Sequence, residues 1–225
     1  MLAVNLDLRN KTVLLVGGGA VGCRKLTKVI RYGAFVRVVE PDPNPYLRKL
    51  AKNKFISLHN QFEPELLDGV SLAFIATSDS ELNLAAAQAA RGRGIWVNMA
   101  DNPREGDFFL PAVVNRGPFR LTVSTGGGGP ALAAIIAERL REIFGPEYGR
   151  LASLLGILRP YVLASGLEED ERRAVFNRLA ESEELLRLIG RQDTAAQAGL
   201  IKTMLPPDII NDEQLMQAIM EAAAD

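Results

Sequence analysis

The sequence predicts an α/β protein, in which a doubly wound parallel sheet is followed by a β-hairpin and a helical C-terminal region. Over the first hundred residues short β-type runs alternate with helical segments, which indicates a parallel sheet covered by helices on both faces. From residue 107 two adjacent β-type runs joined by "NRGP" indicate a hairpin. Beyond residue 130 the pattern is helical.

The parallel sheet is predicted from five short runs. "TVLLV" (12–16) is continuously apolar, as expected of a strand that is buried on both faces. A helix follows as far as Tyr32, with Gly33 as its C-terminal cap. Further strands are predicted at 35–40, 55–59, 70–77 and 95–100, and an alanine-rich helix at 81–94.

The second half of the chain begins with the hairpin at 107–125. The glycine run Gly126–Gly129 then leads through Pro130 into a helix at 131–144. This run is interpreted either as an anion-binding loop or as a hinge between domains. Amphipathic spacing predicts further helices at 147–165, 168–181 and 183–190, whereas the last 35 residues show no clear pattern.

Composition narrows the class of protein. The 225 residues are 48% hydrophobic and 24% charged, with a net charge of −1, which disfavours a nucleic-acid-binding protein. One cysteine forms no internal disulfide and no thiolate metal site, so we expect a reducing cytoplasm and no resident metal. The N-terminus lacks the features of a signal peptide, and no apolar run approaches the roughly 20 residues of a membrane span.

The motif most indicative of function is "GGGAVG", which has the spacing G-x-G-x-x-G. Gly17 would permit the tight turn after the strand, Gly19 would let a pyrophosphate approach the backbone, and Gly22 would let the helix pack closely on the sheet. The motif follows a strand and opens a helix, which favours a nucleotide site over a simple tight turn.

The end of the second strand distinguishes between nucleotides. Glu40 comes 18 residues after Gly22, where an acidic side chain accepts from the ribose hydroxyls of NAD and repels the additional phosphate of NADP. Asp42 is a second candidate, and "EPDPNP" also fits a plain polar turn. The loop "TSDSELN" (77–83), which begins at Thr77, is expected to pass beneath the adenine and the ribose.

The remaining reactive side chains are few. His59, in a weak strand, is more consistent with a loop residue than with a catalytic one, and Cys23 is interpreted as structural. "VNMADNP" (97–103) places Asn98 and Asp101 at the carboxyl end of a strand, where doubly wound folds bind their ligands. Asp101 is therefore either a general base or a turn residue.

Taken in order, the glycine motif, "RK" (24–25), "ATSD…N", "VNMADNP", "FFLPAVV" and "LTVSTGGGGPALA" resemble the precorrin-2 dehydrogenase family, which includes the N-terminal half of siroheme synthase. The resemblance covers about residues 5 to 190. It implies oxidation of precorrin-2 to sirohydrochlorin with NAD in siroheme biosynthesis, and in some members ferrochelatase activity with ferrous iron as substrate. It further implies a homodimer. Membrane and nucleic-acid partners are not expected, because of the net charge and the lack of a long apolar run.

The resemblance also implies an architecture. An NAD-binding Rossmann domain is expected at 1–115, a dimerisation region at 116–147, and a helical domain with a C-terminal tail at 148–225. Where some members carry a phosphorylated serine before the proline of the glycine-rich loop, this chain has Gly129.

By position in the motifs, the resemblance implies roles for individual residues. Asp101 matches the aspartate used in dehydrogenation and chelation. Ala20 and Val21 match positions at the pyrophosphate turn, and Pro41 and Asp42 match positions at the ribose. The substrate carries eight carboxylates, so basic residues are expected to bind it. The best placed in the sequence are Arg104, Arg116 and Arg120.

Two other functions are compatible with the glycine motif. An NAD-sensing regulatory module would need the nucleotide site but not Asp101 or a helical domain. An oxidoreductase of the same fold would act on a different substrate. Oxidation of precorrin-2 by the purified protein distinguishes these alternatives.

Overall fold

The computed structural model describes residues 2–210, 215, 217 and 219. The chain forms two compact units. The first runs to Leu110 and includes Gly126–Gly128, and the second contains Pro111–Thr125 and the chain from Gly129 onward. The first unit thus ends at residue 110, and the hairpin and the helix after it belong to the same unit as the C-terminal helices. The expected division of the chain at residues 115 and 147 stays a prediction.

The first unit contains a five-stranded parallel sheet in the order β3-β2-β1-β4-β5. The strands are β1 (Thr12–Val16), β2 (Phe35–Val39), β3 (Ile56–His59), β4 (Val70–Ile75) and β5 (Trp96–Met99). This confirms the predicted α/β fold class. Because β2 lies on one side of β1 and β4 on the other, the strand order reverses at β1, and a crevice opens there at the carboxyl ends.

Helices cover both faces of this sheet. On one face α1 (Ala20–Arg31) and α2 (Pro45–Lys52) enclose a core with Val13, Leu15, Val36 and Phe74. On the other face α3 (Ser80–Arg91) packs its alanines against alternate residues of the same strands. Side chains in a strand point alternately to the two faces, so a continuous apolar run such as 12–16 supplies both cores.

The second unit begins with an antiparallel hairpin of β6 (Ala112–Arg116) and β7 (Phe119–Val123), as predicted. Gly117 has a φ of +69°, a conformation that glycine adopts without a steric penalty, and it forms the turn. Helices follow at α4 (Pro130–Ile143), α5 (Pro146–Ala164), α6 (Glu169–Glu181), α7 (Glu183–Arg191), α8 (Thr194–Met204) and α9 (Pro207–Ile210).

The C-terminal helices have a hydrophobic core of their own. Leu158, Leu179, Leu185 and Ile201 are among its fully buried side chains. Across the described residues, no helix has both the length and the apolar character that crossing a membrane requires.

Candidate functional site

A cleft of about 770 Å³ lies at the carboxyl ends of β1, β2 and β4. Its walls come from the glycine turn, the start of α1, the end of β2, and the segments after β3 and β4. The lining residues include Gly17, Gly19, Ala20, Val21, Glu40, Pro41, Asn60, Gln61, Phe62, Thr77, Ser78 and Asp79. Seven of the predicted cofactor residues therefore come together on one surface.

The glycines of the motif meet different steric demands. Gly17 has a φ of +100°, and a Cβ there would lie 2.5 Å from the carbonyl oxygen of Ala76. Gly22 is buried in the first turns of α1, where a Cβ would collide with the carbonyl oxygen of Gly17. A Cβ on Gly19 would meet no protein atom within 4 Å. Because Gly19 lines the cleft, the space it leaves open is space for a ligand.

The first turn of α1 suits an anion. Gly19 is its N-cap and provides no side-chain hydrogen bond, and no acidic residue lies in the first turn. The backbone N–H groups at a helix N-terminus carry partial positive charge and lack partners within the helix. Ala20 and Val21 bring this helix end to the cleft, as a pyrophosphate site requires.

Glu40 connects the end of β2 to the glycine turn. Its Oε2 accepts a hydrogen bond of 2.6 Å from the N–H of Gly18, and its Oε1 accepts one of 3.2 Å from the N–H of Asp42. The side chain is partly buried and lines the cleft. Glu40 thus holds the glycine turn in shape and places negative charge at the cleft.

The structure places Asp42 elsewhere. Its side chain is 96% exposed and pairs with Arg48 at 3.3 Å. Asp42 comes two residues before Asn44, the N-cap of α2, and it is not among the residues that line the cleft. We therefore leave Asp42 out of the proposed site, and Glu40 is the acidic residue at the end of β2 that lines the cleft.

Asp101 is joined to the cleft through one buried amide. Asn83 on α3 is 1% exposed. Its Nδ2 donates to Asp101 Oδ2 at 2.8 Å, and its Oδ1 accepts from the hydroxyl and the N–H of Thr77 at 2.6 and 3.3 Å. Thr77 lines the cleft, so a single side chain connects the cleft wall to the Asp101 carboxylate.

The loop that carries Asp101 is held at both ends. At its start Ala100 N–H donates to the carbonyl of Ile75 at 2.9 Å. At its end Asp107 pairs with Val97 of β5, since its N–H donates to Val97 O at 2.7 Å and its Oδ2 accepts from Val97 N–H at 2.8 Å. Asp101 itself is exposed, and its Oδ1 accepts from Asn102 N–H at 2.9 Å.

Asn98 is 4% exposed, and both ends of its amide have partners. Its Nδ2 donates to the carbonyl of Phe108 at 2.8 Å, and its Oδ1 accepts from Lys25 Nζ at 2.5 Å. Asn98 therefore orients Lys25 and fixes the segment after the Asp101 loop. Its predicted contact with substrate stays a prediction.

The three predicted arginines lie in different settings. Arg104 is exposed in the short 3₁₀ turn Pro103–Glu105, directly after Asp101. Arg120 is exposed on β7. Arg116 instead caps the C-terminus of α4, where it donates to the carbonyls of Phe144 and Arg141 at 2.8 and 2.9 Å. Because its guanidinium has this structural role, we leave Arg116 out of the proposed substrate site.

Cys23 and His59 make hydrogen bonds to residues other than Asp101. Cys23 Sγ donates to the carbonyl of Gly18 at 3.2 Å, behind the glycine turn. His59 Nε2 lies 3.1 Å from the hydroxyl of Ser57 at the end of β3. Among the described residues no three His, Cys, Asp or Glu side chains are grouped to hold a metal ion.

Two parts of the site were missed in the sequence. One is the segment after β3, where the cleft is lined by Asn60, Gln61 and Phe62. The sequence pattern of this segment indicated no role in binding. Asn83 belongs to the loop and helix start at 77–83, for which the sequence predicts contact with the adenine and ribose but no separate role for this amide. Its spacing to Ala86, Ala87 and Ala90 places it on the buried stripe of α3, and a polar residue on such a stripe was the available signal.

Comparison with known proteins finds an NAD(P)-binding family and relatives named siroheme synthase. Residues 4–112 match a family described as "Putative NAD(P)-binding". The chain is 36% identical over 196 residues to siroheme synthase 3 of Aeromonas hydrophila, covering 87% of the chain and 42% of that protein. It is likewise 36% identical over 198 residues to siroheme synthase of Chromobacterium violaceum, covering 88% of the chain and 42% of that protein.

The chain thus spans less than half the length of the curated relatives it matches. Among solved structures, a protein titled "SirC, precorrin-2 dehydrogenase" aligns with a TM-score of 0.73 and 23% identity, covering 91% of this chain and 98% of that one. This likeness shows that the two proteins share a fold.

Proposed function

We propose that this chain, a homologue of the siroheme synthases over most of its length, oxidises precorrin-2 to sirohydrochlorin with NAD. The main support is the buried amide of Asn83, which contacts both Thr77 in the cleft and the Asp101 carboxylate. An NAD-sensing module without catalysis needs the cleft, but it has no use for a carboxylate held beside it.

The residues of the cleft fit the cofactor. The open space at Gly19 and the uncapped N-terminus of α1 suit the pyrophosphate, and Glu40 is placed to accept from ribose hydroxyls. NAD, when bound, supplies the hydride acceptor for the oxidation. Glu40 supports a preference for NAD, because its carboxylate would repel the 2′-phosphate of NADP.

Asp101 is the proposed base. Loss of a hydride from a carbon of the macrocycle leaves a proton to be removed, and a carboxylate within reach accepts it. Each carboxylate oxygen of Asp101 accepts one hydrogen bond from the protein, which leaves further lone pairs for that proton. Orientation by Asn83 and by the backbone of Asn102 keeps the exposed carboxylate in a defined position.

We further propose that a ferrochelatase activity, where it operates, uses the same carboxylate. Insertion of ferrous iron into sirohydrochlorin displaces two pyrrole protons, and Asp101 is able to accept a proton in this reaction too. Ferrous iron is in that case a substrate. Arg104 and Arg120 remain the proposed contacts for carboxylates of the tetrapyrrole.

The proposed assembly is a homodimer formed through the second unit. On α4, Ala133 and Ala137 are buried. On the opposite side Leu132, Ile135 and Ile143 are 57%, 53% and 63% exposed. Large apolar side chains along one side of a helix are typical of a surface that a partner covers.

The test is oxidation of precorrin-2 by the purified chain with NAD, followed by the absorbance of sirohydrochlorin. Asp101→Asn keeps the size and polarity of the side chain and removes its basicity. We expect the rate to fall by roughly 10²–10⁴-fold, the usual range for a lost general base, with little change in NAD affinity. If the asparagine variant works at the parent rate, Asp101 is not the base and the proton leaves to water.

A further inference from the structure

Lys25 is a cation turned toward the sheet. It lies in the second turn of α1 and is half-buried. Its Nζ is 2.5 Å from Asn98 Oδ1 and 5.6 Å from the centroid of the Phe74 ring, which belongs to the core. A lysine on a helix surface usually extends its ammonium into water. Lys25 instead holds its ammonium between α1 and strands β4 and β5.

The charge of Lys25 has no anionic partner in the part of the chain that the structure describes. No carboxylate lies within ion-pair distance of Nζ, and Asn98 takes only one of its three N–H donors. Burial, with help from the neighbouring charges of Lys28 and Arg24, lowers the pKa of Lys25 below its ordinary value. Such a cation gains stability when an anion binds beside it.

The position of Lys25 relates it to the proposed site. Val21 lines the cleft, and Lys25 follows it by four residues, so the two side chains are neighbours on the surface of α1. Asn98, which holds Lys25, is three residues before Asp101 on the same strand and loop. Lys25 therefore lies between a cleft wall and the segment that carries the proposed base.

We propose that Lys25 binds a carboxylate of the tetrapyrrole substrate and that Asn98 holds its ammonium in place for this contact. The inference rests on the proposed function and extends it, because it assigns a substrate anchor on α1 in addition to the proposed Arg104 and Arg120. The pyrophosphate of the cofactor is the other available anion. However, Asn98 holds the ammonium toward β5, and the backbone N–H groups at the start of α1 already suit the pyrophosphate.

Binding is measured without turnover, using uroporphyrin III as the probe, because this ring also carries eight carboxylates. Trp96, the single tryptophan, lies on β5 two residues before Asn98 and on the same face of the sheet. Its emission overlaps porphyrin absorption, so quenching reports binding. Lys25→Met keeps an apolar stem over Phe74 and removes the charge. We expect its Kd for uroporphyrin to rise by about tenfold or more.

Lys28→Met is the matched control. Lys28 lies three residues further along α1, is exposed, and loses the same charge. Its Kd for uroporphyrin should stay within about twofold of the parent value, as expected for an exposed charge. In turnover with precorrin-2, Lys25→Met should raise KM for the tetrapyrrole by the same factor as the Kd, leaving kcat and the KM for NAD close to the parent values.

Three results would overturn the inference. The first is a parent chain that does not bind uroporphyrin. The second is an equal effect of both methionine variants, which would mean that only net charge matters. The third is a Lys25→Met variant that loses NAD affinity and keeps porphyrin affinity. A parent that binds uroporphyrin but does not oxidise precorrin-2 contradicts the proposed function and leaves the carboxylate site supported. If the Tm of Lys25→Met is well below that of the parent, the same measurements are made on Lys25→Gln. This variant retains a donor for Asn98.

Discussion

Asn83→Leu removes the amide that joins the cleft to Asp101 while keeping a side chain of similar size. Its four side-chain hydrogen bonds are lost, three to Thr77 and one to Asp101, and the most relevant is the 2.8 Å hydrogen bond to the Asp101 carboxylate. A hydrogen bond to a charged group contributes about 1.5–3 kcal/mol. At about 1.4 kcal/mol per tenfold in rate, its full loss in the transition state would lower kcat roughly 10- to 150-fold.

The decisive measurement is a double-mutant cycle with Asp101→Asn. The kcat for precorrin-2 oxidation at saturating NAD is determined for the parent, both single variants and the double variant. If Asn83 acts by orienting the Asp101 carboxylate, its replacement has little further effect once that carboxylate is gone. The two losses in kcat should therefore be strongly non-additive.

Gln197→Leu provides the control for general damage to a core. Gln197 is another buried amide, 4% exposed, and it donates to the carbonyl of Leu188 at 3.1 Å within the second unit. Gln197→Leu should change kcat by the same factor in the parent and in the Asp101→Asn variant. If Asn83→Leu also lowers kcat by an equal factor in both backgrounds, Asn83 supports the fold and does not position the base.

Two further predictions concern the cofactor and the assembly. Titration of the parent should give clearly tighter binding of NAD than of NADP, and Glu40→Gln, which can still accept from Gly18 N–H, should narrow that difference by about tenfold because one charge is removed. Equal affinity of the parent for both cofactors would contradict the ribose role of Glu40. Sedimentation at micromolar concentration should give a dimer, and Ile135→Lys should give a monomer, because it places a charge on the exposed apolar side of α4. A monomeric parent would refute the proposed interface.

The sheet could be predicted from the sequence because its signals are local. The continuous run at 12–16 followed at once by the glycine motif specifies a strand, a turn and a helix within a few residues. The structure bears this out in the five parallel strands, although β4 ends at Ile75 rather than at residue 77. Strand ends depend on where hydrogen bonding to the neighbours stops, and single-chain patterns do not contain that information.

Helix α2 was not predicted, because three prolines in "EPDPNPY" indicate a turn. The last of them, Pro45, occupies the first helical position, where its missing N–H and fixed φ are tolerated. Asn44 caps the helix by accepting from Leu47 N–H at 3.0 Å. Proline therefore marked the beginning of an element and not only the end of one.

The C-terminal region lacked a readable pattern because its helices are short. α8 and α9 run over Thr194–Met204 and Pro207–Ile210. The buried residues of α8 are Gln197, Ala198 and Ile201, and because the first is polar and the second small, they give only a faint apolar stripe in the sequence. The sequence predicts neither a fold nor a role for residues 191–225. Most of the chain after residue 210 lies outside the described residues. The role of Asn83 was equally out of reach, since its two partners, Thr77 and Asp101, come from separate strand ends.

The hydrogen bonds at Ala100 and Asp107 have a consequence for how this protein can change during evolution. Both ends of the loop between them are attached to the sheet, so the number of residues from 100 to 107 fixes where Asp101 stands relative to Asn83. An insertion or deletion in this loop would displace the carboxylate even with every named residue retained. Descendants of this chain are therefore expected to keep the length of this loop more strictly than the identity of its other residues.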